Sequence, residues 1–436
     1  MTETTLPDAD RSPLRIANFR AYWFSRLSMT LAQYAMMLII GWQTYNIARD
    51  GGMGVGAASG QLALIGLLQF VPLFLLTPFS GWAADHFDRR NIARVTVVAQ
   101  LGCATTLAWL TTSDNLTLPT LFSVAVVLGI VRAFNGPALS ALAPNLVPKT
   151  ILPNAIALSS IAWQVGMIVG PAIGGYTYAI FPALPYFVAL GLFACSLVAL
   201  SFIGRVPQPP REANRRPIHQ MVEGLRYVVR NKMVLGAITL DLFAVFLAGA
   251  TALFPVYARD ILEVGETGLA QLAMAPAVGA ALTALWFSFR PLKTNVGPKM
   301  LLAVAVFGLA TIIFGLSQSM PLSLAMLFIV GAADMFSVYI RQSLIQLHTP
   351  DDKRGRVSSV SLLTISASNE FGDFFSGSLA FLLGPVLAVV GGGVGAIVTV
   401  ALWAKIFPVL RTTRTFDPPE ELLDTPPEQK LQEQMP

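Results

Sequence analysis

Charge is scarce in this sequence. Of its 436 residues only 12% are Asp, Glu, Lys or Arg, about half the roughly 25% usual in soluble domains. Three histidines and two cysteines complete a thin stock of catalytic and metal-ligating groups. His86, His219 and His348 lie in or beside loops without metal-ligand spacing, so no metal site is expected. Cys103 and Cys195 both fall inside apolar runs, and neither a disulfide nor a metal thiolate is expected. No Lys-Ser/Thr follows Gly51-Gly52-Met53-Gly54 or Gly391-Gly392-Gly393. A phosphate loop, and with it ATP hydrolysis by this chain, is excluded. No enzyme and no cofactor is expected. An ordinary cytosolic domain, a disordered chain and a disulfide scaffold are all disfavoured.

What is plentiful is apolar sequence: 54% of residues are hydrophobic and the mean hydropathy is +0.64. These residues sit in long runs, which read as membrane-spanning helices. Twelve spans are expected, at about 20–47, 61–84, 92–112, 117–140, 153–180, 184–204, 231–257, 268–289, 298–318, 320–346, 355–383 and 384–408. Strands of a β-barrel would be about ten residues long with alternating polarity, which these runs are not. Backbone groups in lipid must pair internally, so each run is helical. The first 19 residues are polar and the first apolar run is long enough to span and stay, so no cleavable leader is expected.

The net charge of +5 does not point to nucleic acid, because the basic residues fall in short inter-span loops rather than on one face. With the N-terminus inside, the cytoplasmic segments hold 24 of the 29 Lys and Arg residues. The outer loops hold only Arg49 and Arg259; Arg26, Arg132 and Arg341 lie within spans. Both termini are therefore expected in the cytoplasm. The longest interior break divides the spans six and six. The organisation expected is a cytoplasmic tail (1–19), a six-helix bundle (20–204), a cytoplasmic linker (205–230), a second six-helix bundle (231–410) and a disordered C-terminal tail (411–436). Within the linker, Ile218, Met221, Val222, Leu225 and Val229 recur at helical spacing, which describes either an amphipathic helix on the inner membrane surface or a simple connector.

A shift of 202 residues lays 134–175 over 336–377, matching Phe134 with Phe336, Leu142 with Leu344, Pro148 with Pro350, Ser159 with Ser361, Gly170 with Gly372 and Gly175 with Gly377. This equates span 4 with span 10 and span 5 with span 11, as a six-plus-six duplication requires. Two parallel-related halves around a central site are a transporter architecture.

Three motifs sharpen this. Gly81, Asp85, Arg89 and Arg90 follow span 2 in the pattern G-x-x-x-D-x-x-x-R-R; Arg132 and Gly136 form R-x-x-x-G in span 4; Gly166, Gly170, Pro171, Gly174 and Gly175 form G-x-x-x-G-P-x-x-G-G in span 5. Together they resemble the major facilitator superfamily, the last motif being typical of its antiporter branch. Phe19-Arg20-Ala21-Tyr22-Trp23-Phe24-Ser25-Arg26, Arg356-Val357-Ser358 and Ser368-Asn369-Glu370-Phe371-Gly372 are similar to the subgroup containing enterobactin exporters. Asp88 stands where the superfamily often has Gly. The resemblance implies an all-α fold of two pseudo-symmetric six-helix bundles, no enzymatic activity, and export of a small solute by alternating access.

On physical grounds Asp85 sits at the C-terminal end of its helix, where the dipole disfavours a carboxylate, so it needs a cation or another helix's N-terminus. Gly81, Asp85, Arg89 and Arg90 are then a latch between the halves, or a static cap with positive-inside anchoring. The glycines of span 5 permit close helix approach, read either as a sliding contact with the other half or as ordinary packing. A charged side chain at mid-bilayer costs about 2.5–3.5 kcal/mol on insertion scales, so it faces a cavity or a partner. Asp241, Asp334 and Glu370 fall near mid-depth, Asp373 one turn from Glu370, and Arg26 and Arg132 in the inner half of spans 1 and 4. Burial disfavours the charged form of a carboxylate, so Glu370, Asp241, Asp334 and Asp373, with Arg132, are candidates for proton coupling. The structural alternative is charge pairing, such as Asp334 with Arg341. Arg26, Gln33, Trp163, Gln164 and Asn369 are candidates to line a cavity for an amphipathic solute; Trp82, Trp109, Trp286 and Trp403 read as interface anchors. The expected partners are a small-molecule substrate, protons and the lipid of a bacterial cytoplasmic membrane, with the chain acting as a monomer. Proton-coupled uptake and a non-transporting sensor or scaffold are the alternatives.

Overall fold

The structure, a computed structural model, describes residues 12–204 and 217–417. The tail residues 1–11 and 418–436, the linker stretch 205–216, the surroundings of Gly81 and several side chains, among them Trp82, Asp85 and Glu370, lie outside the described set. Fifteen α-helices are described: α1 (Ala17–Asp50), α2 (Val55–His86), α3 (Arg89–Thr112), α4 (Leu118–Leu142), α5 (Leu152–Ile180), α6 (Leu184–Ser201), α7 (Pro217–Arg230), α8 (Lys232–Leu247), α9 (Phe254–Val256), α10 (Gly265–Phe289), α11 (Val296–Leu316), α12 (Met320–Leu347), α13 (Asp351–Leu383), α14 (Pro385–Ile406) and α15 (Pro408–Thr412).

All twelve expected spans are helical. Ten stretches are by themselves long and apolar enough to cross a membrane. The two not among the ten are α1, which is polar for a span, and α13, whose described residues include the shorter apolar stretch Phe371–Leu383. α1 buries Ser25, Thr30, Gln43 and Thr44 inside the protein, and α13 begins with the charged run Asp351 to Arg356. The polar residues of α1 face protein, where they can be satisfied, so a hydropathy average undervalues it as a span.

The described core falls into three parts. One cluster runs from Phe19 to Ile203 and contains only first-half residues. A second runs from Val228 to Leu410 and contains only second-half residues. The third mixes the halves, joining Trp42, Tyr45 and Leu62 to Phe254, Tyr257, Leu269 and Ala380. Two bundles therefore have their own cores and share a third. α1 starts and α6 ends on one face, where the Asn18 side chain accepts from Gly204 N at 3.2 Å; this is the terminal face. The shared core lies toward the opposite face.

The seventh span is not one helix. α8 ends at Leu247, and the chain continues through a 3-10 turn (Thr251–Leu253), α9 and a π-turn (Tyr257–Ile261). The break lies where two neighbours come close. A Cβ on Gly249 would stand 3.3 Å from the Gly372 backbone of α13, and one on Gly392 of α14 would collide with the Leu247 carbonyl. Thr251, just past the break, donates to Asp373 Oδ1 at 2.8 Å. Segments of irregular backbone at membrane depth are tolerated where protein surrounds them.

Candidate transport pathway and gates

Among the described residues, the buried acid and guanidinium of the second half are Asp241 and Arg341. Asn231 caps α8 by accepting from Met233 N and Val234 N, both at 3.1 Å. Starting α8 there puts Asp241 about 14 Å along it at about 1.5 Å per residue. Asp241 is buried and makes an ion pair with Arg341 of α12, itself buried. Asp334, two turns before Arg341, lines the same small crevice as Asp241, with Val304, Phe307 and Ser337. The pairing of Arg341 with Asp334 considered from sequence is thus not the one formed. The guanidinium reaches across to α8 rather than along its own helix, and its Nε has no hydrogen-bond partner.

The two first-half arginines are held separately. Arg26 NH1 donates to Tyr22 Oη at 2.8 Å, Tyr22 donates to the Leu139 carbonyl at 3.3 Å, and Arg26 Nε is buried without a partner. Arg132 NH1 reaches Gln69 Oε1 at 3.4 Å. Gln69 was missed in the sequence, although a glutamine in the middle of the apolar run of span 2 is a visible signal. Trp163 stands edge-on to Tyr34, with ring centroids 6.5 Å apart. Gln33 and Gln164 are half-buried and Asn369 is exposed. Phe70 of α2 meets Phe371 of α13 at 5.6 Å, and Phe371 stacks on Phe246 at 5.5 Å. Aromatic rings thus bridge the halves near mid-depth of α2 and α13. Asp373 bonds Thr251 as described; the Glu370 side chain lies outside the described ones.

The opposite face carries a lock that the sequence reading did not anticipate. Arg49 at the end of α1 forks onto Asp260, Nε to Oδ2 at 3.2 Å and NH2 to Oδ1 at 3.0 Å. Tyr45 donates to the same carboxylate. In the reverse sense, Arg259 donates to Asp50 Oδ1 and Asn46 Oδ1, both at 2.6 Å. Adjacent Arg49-Asp50 and Arg259-Asp260 are thus cross-paired between the halves, the second pair being held on a π-turn. Glycines close the same face. A Cβ on Gly175 would stand 2.5 Å from Ala270 Cβ of α10, and one on Gly377 of α13 would stand 2.8 Å from Ala63 Cβ of α2. Gly175 and Gly377 are equivalent under the 202-residue shift, so the two inter-half seams are related as the duplication requires. A cavity of about 420 Å³ opens beside the lock, lined by Trp42, Asn46, Asp50, Arg259, Glu263 and Gly265.

The rest of the span 5 motif packs differently from the sliding contact considered above. Gly166 faces Thr30 tightly, Gly170 would put a Cβ 2.6 Å from Tyr34 Cβ, and Gly174 would put one 2.7 Å from the Ala35 carbonyl. All three neighbours belong to α1 of the same half; only Gly175 meets the other half. Pro171 is buried inside a helix that continues past it.

On the terminal face, Arg90 is engaged by Asp88. Its Nε and NH2 grip Asp88 at 3.0 and 2.5 Å, and its NH1 donates to the Ile203 carbonyl at 3.0 Å. Asp88 also caps α3, accepting from Arg90 N at 3.0 Å. The Arg90 hydrogen bond holds the Asp88 carboxyl below its ordinary value of 3.8. The departure at Asp88 therefore has a structural use. Arg89 is half-buried, and the surroundings of Gly81 and the Asp85 side chain lie outside what is described. Trp109 and Trp286 are exposed as interface anchors would be. Trp403 instead donates to Thr239 Oγ1 at 3.0 Å within the second core.

Two helical bundles meeting along equivalent seams define the fold of major facilitator transporters. Solved structures agree. A bacterial homologue of the human lysosomal transporter Spinster, in an inward-facing and occupied conformation, matches with a TM-score of 0.67 at 17% identity, covering 92% of this chain and 99% of that one. The chain belongs to the transmembrane secretion effector family of the major facilitator superfamily, whose model matches residues 9–434. Among curated relatives, the multidrug efflux pump Tap of Mycolicibacterium fortuitum is 27% identical over 345 residues, 76% of this chain and 79% of that protein. The enterobactin exporter EntS of Escherichia coli O1:K1 / APEC is 24% identical over 363 residues, 82% of this chain and 85% of that protein. This is a multi-pass membrane transporter and not an enzyme.

Proposed function

We propose that the protein exports a small amphipathic solute across the bacterial cytoplasmic membrane in exchange for protons, by alternating access, with both termini in the cytoplasm. The observation that carries the coupling is the buried Asp241–Arg341 pair with Asp334 in the same crevice. A buried pair is a costly structural element that hydrophobic residues often replace at no loss of stability. Its presence with a second carboxylate beside it suits a relay. Protonation of one acid frees Arg341 to pair with the other, and the helices that carry them shift with it. Glu370 and Asp373 are further candidates on α13, and Arg132 and Arg26 are candidates to hold an anionic group of the solute or a displaced carboxylate. Tyr34, Trp163, Gln33, Gln164 and Asn369 suit a solute with both rings and polar groups. The names of the relatives, a multidrug efflux pump and an enterobactin exporter, favour a drug or siderophore as cargo and the outward direction.

With that orientation, the opposite face is the outer one and its lock is shut. Opening it exchanges the cross-paired charges for water, and closure on the inner face then falls to the region of Asp85, Arg89 and Arg90. The test is proteoliposomes with an imposed pH gradient, using ethidium and a catecholate siderophore as probes. An acidic compartment opposite the cytoplasmic face should drive the probe into it. Probe movement in the same direction as protons would establish uptake instead, and no gradient-driven movement of any probe would remove the proton from the account.

A further inference from the structure

One surface away from the buried charges is apolar and edged with cations. Helix α7 packs one side on the terminal end of the second bundle. A Cβ on Gly224 would lie 2.8 Å from the Arg356 carbonyl of α13, Glu223 pairs with Arg356 at 2.6 Å, and Tyr227 donates to the His348 carbonyl at 2.8 Å. Val228 is buried on the same side. Val222, Leu225 and Val229, spaced for one helical stripe, are left exposed on another side. Arg226 and Arg230 stand one turn apart, both exposed, along the edge of that stripe. Ile218 and Met221, expected from sequence to extend it, lie outside the described side chains.

What covers this stripe follows from its position. Asn231 alone separates α7 from α8, and the membrane span begins at Lys232. The stripe therefore sits at the boundary of the bilayer, at the level of headgroups and upper acyl chains. An apolar stripe edged by arginines at that level matches a helix lying in the interface, its apolar side sunk about 5–10 Å and its cations at the phosphates. Of the described acids on α7, Glu223 is engaged with Arg356, so the outward edge is cationic.

We propose that α7 binds the surface of the bilayer itself, through anionic lipid headgroups at Arg226 and Arg230 and acyl chains at Val222, Leu225 and Val229, and so tethers the start of α13 to the membrane. α13 is the helix that meets α2 of the other half through Phe371, Gly377 and Phe381. Lipid composition at this face is thereby linked, through Glu223 and Arg356, to the seam between the bundles. The inference does not depend on the direction of transport or on the cargo.

The test uses the full-length protein with Cys103 and Cys195 replaced by Ser and a bimane label at Val229→Cys. It is reconstituted into phosphatidylcholine vesicles with and without phosphatidylglycerol, each containing nitroxide-labelled phosphatidylcholine. Bimane at position 229 should be quenched by the lipid nitroxide, more strongly when phosphatidylglycerol is present. A label at Gln318, on the opposite face, serves as the reference for proper folding. Near an anionic surface each arginine is worth about fivefold in partition, so Arg226→Gln with Arg230→Gln should lower the ratio of lipid-engaged to free helix about 25-fold and abolish the dependence on phosphatidylglycerol. Three results would overturn the proposal: quenching by iodide in water but not by lipid, quenching that appears only as protein density in the vesicle rises, and lipid quenching indifferent to both phosphatidylglycerol and the arginines. The first means a solvated stripe, the second a second copy, and the third an apolar contact without headgroup recognition.

Discussion

The lock on the opposite face makes a prediction about rank as well as direction. Arg49 and Asp260 are 27% and 18% exposed, and three donor atoms converge on the one carboxylate. Hydrogen bonds to charged groups contribute about 1.5–3 kcal/mol each when well shielded, and partial exposure reduces this. Replacing Asp260 by Asn, which keeps the shape but loses the charge, should therefore cost the closed state about 2–3 kcal/mol. Asp50 is 69% exposed, so its pair with Arg259 is worth below about 1 kcal/mol. At about 1.4 kcal/mol per decade, Asp260→Asn should shift the closed-to-open ratio of this face about thirtyfold or more, and Asp50→Asn less than about fivefold. Spin labels at Asn115 and Gln318, one on each bundle, read the population directly by pulsed dipolar spectroscopy. The swap Arg49→Asp with Asp260→Arg should recover much of the closed state. Equal opening by Asp50→Asn and Asp260→Asn, or no opening by either, would refute the reasoning that shielding sets the strength of the lock.

Other expectations follow from the same geometry. Gly377→Ala must displace Ala63 backbone atoms at 3.0 Å, an overpacking cost of about 1–3 kcal/mol that should open the same labelled face, while Gly102→Ala, with open space around it, should leave the distance unchanged and raise the melting temperature slightly. Asp88→Asn keeps an N-cap acceptor but loses the Arg90 ion pair, and should destabilise the detergent-solubilised protein by up to about 1 kcal/mol at pH 7. Because the folded carboxyl is held below 3.8, that contribution is present above the ordinary value and fades as pH falls through and below it, so melting curves of the two proteins should converge in acid. Arg341→Met alone should destabilise by about 3–5 kcal/mol by stranding Asp241, whereas Arg341→Met with Asp241→Leu should recover most of that and still transport nothing.

Much of the architecture was legible because lipid leaves the backbone so few choices. Eleven of the expected spans coincide with single helices, and the expected short gaps at 180–184 and 383–384 are the turns between α5 and α6 and between α13 and α14. The seventh span's break was not legible, because it is set by the approach of Gly372 and Gly392 from α13 and α14, not by residues within an apolar run. The polar residues at depth were visible, but not whom they meet. Arg341 lies on the same side of its helix as Asp334, yet tertiary packing gives it Asp241. The lock had a cue in the sequence: Arg49-Asp50 and Arg259-Asp260 are opposite-charge neighbours at the ends of spans 1 and 7, and reading them only as exceptions to a charge bias hid their complementarity. Asp88, a departure from the motif, proved to be a helix cap with its own cation.

The central claim, that the carboxylates beside Arg341 carry the proton, is tested most directly by proton movement itself. Proteoliposomes holding a pH-sensitive dye and a standing pH gradient are given ethidium, and dissipation of the gradient is recorded for the wild type, Asp241→Asn and Asp334→Asn. The account predicts solute-dependent proton flux in the wild type and its loss in at least one variant that still folds and still binds ethidium. Undiminished solute-dependent proton flux in both variants would contradict it.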